Sequence, residues 1–248
     1  MEFTYESYIK LLKRLEDKGY QFAGYRSWEK KEKSVILRHD VDYSLQKAAE
    51  FSAVEREMGV PSTYFVLVSS DFYNLHSLKS KKYIRQIMDN GGEIGLHFDE
   101  TQYDIRTEEE LRDYLYREAD ILSGITGKET GAVSMHRPSE KFLSDNMEFG
   151  SIINSYSKIY FKDMKYLSDS RRRWREDVDE IVRQGAYRRL HILVHPFWYF
   201  TGFERDIKQT LKGAILNASL QYYDGLEDNF SSLGKEIRRD EIEELLRG

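Results

Sequence analysis

The chain has 248 residues, with 38 Lys and Arg against 43 Asp and Glu, a formal net charge of −5 and no cysteine. The acidic balance, with a sequence pI near 5.8, argues against a nucleic-acid partner, whose footprint is usually basic. Lack of cysteine removes disulfides, thiolate metal ligands and thiol nucleophiles together, so any metal must be held by histidine and carboxylate. The N-terminus lacks a basic stretch followed by an apolar core, and no apolar run approaches the roughly 18 residues that span a bilayer. A cytoplasmic protein without a transmembrane segment is therefore expected. No Gly/Ser-rich or Pro-rich linker, repeat or low-complexity segment interrupts the sequence, and one domain over 1–248 is the reading, since a single α/β barrel of this size is ordinary.

Taken in chain order, Thr4 to Lys18 carries Tyr5, Tyr8, Ile9, Leu12 and Leu15 at helical spacing and ends at Gly19. Ser34-Val35-Ile36-Leu37-Arg38 reads as a strand, followed by a helix from Ser44 that Gly59 and Pro61 stop. Thr63 to Val68 is a strand and Leu78 to Met88 a helix ending at Gly91-Gly92. Glu93 to Leu96 is the next strand, and Thr107 with Glu110 forms a capping box for the helix reaching Leu122. Ala132 to Met135, Ile152 to Tyr156, Tyr166-Leu167 and Leu190 to Val194 complete the strands. Strands separated by helices imply parallel pairing, and six or seven such units favour a closed or partly closed barrel.

His39-Asp40-Val41-Asp42 closes the first of these strands. Residues i and i+2 of a strand share a side, which aims Asp40 and Asp42 at one spot. Two converging carboxylates repel unless a cation or shared proton separates them. One metal ligand beside one general base meets that requirement, and so does a helix-capping Asp beside a salt-bridged one. In parallel α/β proteins chemistry gathers at the C-terminal ends of strands. His39, His97, His136 and His195 all follow strands, beside Asp40, Asp42, Asp99 and Asp169, which predicts a shared polar site. His76 and His191 read as structural.

These motifs, in order from about Val35 to Tyr199, resemble the polysaccharide deacetylases, metal-dependent hydrolases on a distorted (β/α)7 barrel. The resemblance implies Asp40 as general base and Asp42 as metal ligand in Arg38-His39-Asp40-Val41-Asp42, and metal binding by His97 in Ile94-Gly95-Leu96-His97. It implies Arg137 of His136-Arg137-Pro138 as the residue that orients the base. It also implies Asp169 as the group that sets the catalytic histidine, with Trp174 on the groove wall, and His195 as general acid. The second motif normally carries two histidines four apart, whereas Thr101 follows His97 here. His136, or alternatively Glu100, is expected to replace the missing ligand. Zinc is the expected ion, with manganese, cobalt and nickel also compatible with such ligands.

The implied activity is removal of an N-acetyl or N-formyl group from an amino sugar or glycan precursor. Two rival readings are an inactive deacetylase-like protein that binds such a precursor, and a related metal amidohydrolase acting on a non-sugar amide. Arg171 and Arg173 are candidate phosphate ligands on a carrier, or part of a solvated charged face. Trp198, with its aromatic neighbours, is a candidate sugar-stacking residue, or part of the core.

Overall fold

A computed structural model describes residues 1–139 and 146–247. Where one domain was expected over 1–248, the chain divides into two compact units, Met1–Thr201 and Gly202–Gly248.

The first unit alternates strand and helix: α1 (Tyr5–Asp17), β1 (Gln21–Phe22), β2 (Ser34–Val41), α2 (Leu45–Met58), β3 (Thr63–Val66), α3 (Leu78–Asp89), β4 (Glu93–Phe98), α4 (Glu108–Thr126), β5 (Ala132–Met135), β6 (Ile153–Asn154), β7 (Lys165–Ser168), α5 (Val178–Gln184) and β8 (Arg189–Val194). Helix starts follow local chemistry. Thr4 and Ser44 accept from the backbone N–H groups of Ser7 and Lys47, Thr107 and Glu110 form the expected capping box, and Gly59 and Gly127 end α2 and α4 in the left-handed conformation.

All strand pairs are parallel, in the order β6-β5-β4-β3-β2-β8-β7, with β1 added beside β2. The sheet curls into a barrel: Arg38 of β2 hydrogen-bonds Ser134 of β5, although β3 and β4 lie between those strands in the sheet. Among the described residues, no ladder joins β6 to β7. The result is the incompletely closed, distorted (β/α)7 barrel expected from the sequence.

Every residue of β2 is buried, so both faces of that strand are covered. Val35, Leu37 and Val41 pack outward with Val66, Leu96, Val133 and Ile192 beneath the helices. Ile36, Phe65, Ala132, Tyr160 and Met164 fill the lower barrel with Tyr25 and Trp28. His191 joins this interior, bonded to the Tyr25 hydroxyl at 2.8 Å and the Tyr160 carbonyl at 3.0 Å. Burial pushes its pKa down to about 3, so it stays neutral.

On the outer face, Glu55 of α2 accepts from His39 Nε2 (2.7 Å), Tyr8 (2.6 Å), Tyr64 (2.6 Å) and Ser62. That knot ties α1, α2, β2 and the start of β3, and fixes the roll of β2. Burial opposes ionisation of Glu55, but the adjacent His39 and the hydroxyl donors hold its pKa below the usual value.

The second unit comprises α6 (Ile207–Glu227), α7 (Leu233–Glu236) and α8 (Arg239–Arg247). Tyr223 donates to the Ile237 carbonyl at 2.8 Å, and Arg239 pairs with Asp224 at 3.1 Å. No helix among the described residues is long and apolar enough to cross a membrane.

Gly95 of β4 faces the barrel interior, where an added Cβ would meet the Phe65 ring at 2.6 Å and the Ala132 carbonyl at 3.1 Å. Gly95→Ala therefore forces Phe65 to move beneath Arg38, and a loss of about 1–3 kcal/mol is expected in urea unfolding. An unchanged midpoint would show that Phe65 is not wedged as described.

Candidate active site

β2 carries Arg38, Asp40 and, just past its end, Asp42 on the inward side. The Arg38 guanidinium clamps Asp40 through Nε to Oδ1 at 2.9 Å and Nη2 to Oδ2 at 2.8 Å. Nη2 also donates to Ser134 Oγ and, at 3.4 Å, to the Tyr156 hydroxyl. Arg38 has no exposed surface and lies 4.8 Å from the Tyr156 ring centroid. Burial opposes ionisation of Asp40, but the charge and hydrogen bonds of Arg38 together with the nearby His97 and His195 hold the carboxyl below its usual pKa. Asp40 is thus a buried, ionised carboxylate with a fixed orientation, 3.7 Å from His97 Nε2.

Asp42 Oδ1 lies 3.2 Å from His97 Nε2 and 3.3 Å from His136 Nδ1, and the two histidine nitrogens are 3.2 Å apart. His97, at the end of β4, uses Nδ1 toward the Ser134 carbonyl at 3.2 Å. That bond directs the Nε2 lone pair at the centre, as a second-shell acceptor does for a metal-binding histidine. Bonds of about 2.0–2.1 Å to a tetrahedral ion put neighbouring ligands about 3.3 Å apart. The triangle has that edge length, and its donor set of two imidazoles and one carboxylate suits a divalent cation. Burial disfavours the Asp42 charge, yet hydrogen bonds from His136 and His97 hold its pKa well below the usual range. His136 moves the other way, since Asp42 raises its pKa against the effect of burial. The two shifts are the two sides of the Asp42–His136 contact.

His195, following β8, faces the triangle with Nε2 3.9 Å from Asp42 Oδ2. Its Nδ1 is 2.6 Å from Asp169 Oδ1, and its backbone N–H is 3.1 Å from both Asp169 oxygens. The Tyr199 hydroxyl donates to Asp169 at 3.2 Å. Burial alone would lower the His195 pKa, but the charge and hydrogen bond of Asp169 raise it to about 9. The imidazole therefore carries a proton at neutral pH and presents it through Nε2.

The sequence-predicted residues divide three ways. Asp40, Asp42, His97, His136, Asp169 and His195 converge, and among the described residues Asp42, His97 and His136 form the potential metal-holding group. Glu100 is engaged elsewhere, accepting from the Ser139 backbone and hydroxyl, while Thr101 donates to Asp99 at 2.8 Å. Two expectations are corrected. Arg137 is not beside Asp40: its side chain is 55% exposed and pairs with Asp99, and the guanidinium that clamps Asp40 is that of Arg38. His39 lies on the outer face with Glu55 because it alternates with Asp40 along the strand. The same alternation, applied one residue further back, points to Arg38.

Trp174 lines a cavity of about 310 Å³ with Pro138, Tyr156, Phe161, Tyr166 and Ser168. The arginine in that lining is Arg175, whereas Arg171 and Arg173 are exposed, so the structure does not bring those two to the cavity. Arg171 and Arg172 adopt positive φ, 60° and 56°, a conformation that costs non-glycine residues energy. Trp198 joins Phe197, Tyr43 and Phe72 in a ring cluster beside the site.

No family model matches the sequence, and no curated protein matches it. Among solved structures the chain is similar to a family 4 carbohydrate esterase from Bacillus anthracis, with TM-score 0.42, 19% identity and 86% of each chain covered. It is similar to a mutant of a family 4 carbohydrate esterase pseudoenzyme with restored enzymatic activity, with TM-score 0.47, 16% identity, and coverage of 82% of this chain and 66% of that one. It is also similar to a peptidoglycan deacetylase from Bacillus subtilis, with TM-score 0.44, 14% identity, and coverage of 80% of this chain and 98% of that one.

The Asp169–His195 pair sets a sign that can be tested. Asp169→Asn removes the largest charge that opposes burial, so the His195 pKa should fall from about 9 toward its ordinary value of about 6.5. The raised pKa contributes stability that is fully present below about pH 6.5 and is lost as pH rises through 9, so the variant should also flatten that part of the stability profile. Histidine NMR titration of the chelator-treated protein checks both proteins, and an unmoved His195 would refute the pairing.

Proposed function

We propose that the chain is a divalent-metal-dependent hydrolase that removes an N-acyl group, acetyl or formyl, from an amino sugar or glycan precursor. The observation that carries this reading is the flanking of the Asp42–His97–His136 triangle by two oppositely prepared groups: Asp40, ionised and clamped by Arg38, and His195, protonated and held by Asp169. One accepts a proton and the other gives one, which is what amide hydrolysis requires. Support for the sugar amide comes from the ordered motifs between Val35 and Tyr199, which resemble those of polysaccharide deacetylases.

Asp42, His97 and His136 would hold the ion, and the tetrahedral edge length favours zinc. When bound, such an ion supplies Lewis-acid polarisation of the acyl carbonyl and lowers the pKa of water. Asp40 takes the proton of the attacking water. Arg38 keeps that carboxylate ionised and aimed, and because its guanidinium stays charged it cannot compete for the proton. His195 Nε2 donates to the departing nitrogen, and Asp169 stabilises the imidazolium beforehand and fixes which nitrogen faces the substrate. His136 occupies the role that Thr101 leaves open, which favours hydrolysis over the inactive-binder reading. The products are a free amine and acetate or formate.

Asp42→Asn should lose bound metal on dialysis, whereas Asp40→Asn should retain it and lose about 10²- to 10⁴-fold in kcat on an N-acetylated amino sugar. Metal analysis paired with acetate release reads both effects. Equal metal loss in the two variants would make Asp40 a ligand and withdraw the assignment.

His195→Ala should slow amide cleavage by a similar factor yet spare an activated ester, whose leaving group needs little protonation. Equal losses on the two substrates would remove the general-acid role.

A further inference from the structure

The backbones of the three potential metal ligands are held in two different ways. His97 lies within β4, and the β4–β5 pair closes with a direct bond from the His136 N–H to the Phe98 carbonyl at 2.8 Å, so both histidines stand on backbone pinned by strand pairing. The β7–β8 pair closes in the same manner, from the Asp169 N–H to the Leu193 carbonyl at 3.3 Å. Asp42 lies one residue past β2. Val41 pairs with Val66, so the corresponding closing bond would run from the Leu67 N–H to the Val41 carbonyl. The Tyr73 hydroxyl stands in that place: it accepts from the Leu67 N–H at 2.9 Å and donates to the Val41 carbonyl at 2.6 Å. Burial raises the pKa of this phenol, so it keeps the proton it donates.

We propose that Tyr73 is a positioning residue of the metal site, a hydroxyl wedged between the ends of β2 and β3 that sets where Asp42 presents its carboxylate. The inference rests on the metal-site reading above and deepens it. The link is short and stiff. The Val41 carbonyl and the Asp42 nitrogen and Cα share one planar peptide unit, so a bond that fixes the carbonyl fixes the atom from which the Asp42 side chain springs. Inserting the hydroxyl replaces one donor–acceptor step with two, and the strand ends splay by the extra step beside the site. Packing alone does not require that oxygen, since phenylalanine fills nearly the same volume. Without it, either two backbone groups lose their partner or the strand ends close onto each other; the first loosens Asp42 and the second shifts it relative to His97 and His136. The loop that carries Tyr73 has a separate anchor, in which Ser69 meets the Tyr103 hydroxyl at 3.1 Å and donates to Glu118. The Tyr73 bonds therefore serve the β2–β3 junction and are not needed to tether the loop.

The test compares wild type, Tyr73→Phe and Tyr103→Phe by zinc affinity, measured in competition with a chromophoric chelator, and by the visible spectrum of the cobalt(II)-loaded protein. Tyr73→Phe should bind zinc about tenfold more weakly and shift the cobalt bands. Tyr103→Phe, which loosens the other anchor of the same loop, should leave both readings in place. Incorporating p-aminophenylalanine at position 73 keeps a donor to the Val41 carbonyl and should recover most of the lost affinity. Unchanged zinc affinity in Tyr73→Phe, an equal loss in Tyr103→Phe, or a loss that p-aminophenylalanine does not repair would overturn the proposal. So would a lowered urea midpoint in Tyr73→Phe with zinc affinity and cobalt spectrum intact, which is the signature of a packing residue. The tenfold loss, in a protein whose wild type releases no acetate from N-acetylated amino sugars, would sink the deacylase reading and leave the positioning role standing. Acetate release with zinc affinity indifferent to the hydroxyl would do the reverse, and a wild type that binds no zinc would overturn both.

Discussion

The rest of the site depends on a pair of charges buried in the barrel, Arg38 and Asp40. An arginine with no exposed surface cannot shed its charge, and burying an unpaired guanidinium is prohibitive, with an effective penalty of several kcal/mol per ion even in relaxed proteins. Asp40 supplies the counter-charge with bidentate geometry, and the Ser134 hydroxyl and the Tyr156 ring occupy most of what remains. The arrangement therefore fixes a carboxylate in its ionised form and in one orientation, which is what the proposed proton-accepting role requires.

The outer face of the same strand answers this inner pair. His39 and Glu55 lie beneath the helices with three hydroxyls turned onto the carboxylate, so β2 is anchored by polar groups on both sides. Since side chains alternate, locking His39 outward locks Arg38 and Asp40 inward. A hydrophobic outer face alone would tolerate small rolls of the strand that a charged hydrogen-bond knot resists. Asp169 does for His195 what Arg38 does for Asp40, holding through both side chain and backbone a group whose protonation state burial alone would reverse.

Much of this was legible in the sequence because it depends on local periodicity. Apolar runs punctuated by Gly59, Gly91-Gly92 and the Thr107–Glu110 box determine where elements begin and end, and repeated strand–helix alternation yields the barrel. Histidines after successive strands, with Asp40 and Asp42 two apart, marked the centre, and the gap at Thr101 pointed to His136. Alternation along β2 puts His39 on the face opposite Asp40 and Arg38 on the same face, which the signal of a histidine following a strand does not carry. Arg137 follows His136 directly and so projects away from it, toward Asp99. The break after Thr201 carries no linker signature, as Phe200-Thr201-Gly202-Phe203 is neither proline- nor glycine-rich. Of the ring cluster only the stretch around Trp198 was legible, because Tyr43 and Phe72 lie up to 155 positions from it and share no motif with it.

The unjoined edge between β6 and β7 bears on how this scaffold can change. Where a ladder would normally set the spacing of neighbouring strands, Tyr156, Phe161 and Tyr166 span the seam through ring contacts of 5.2 and 4.7 Å, and the same rings line the cavity. Cavity width is therefore set by side-chain volume and not by backbone hydrogen bonds. Single substitutions in these rings can reshape the pocket while leaving every strand pairing intact, so the seam gives the protein a place where selectivity can drift without endangering the barrel.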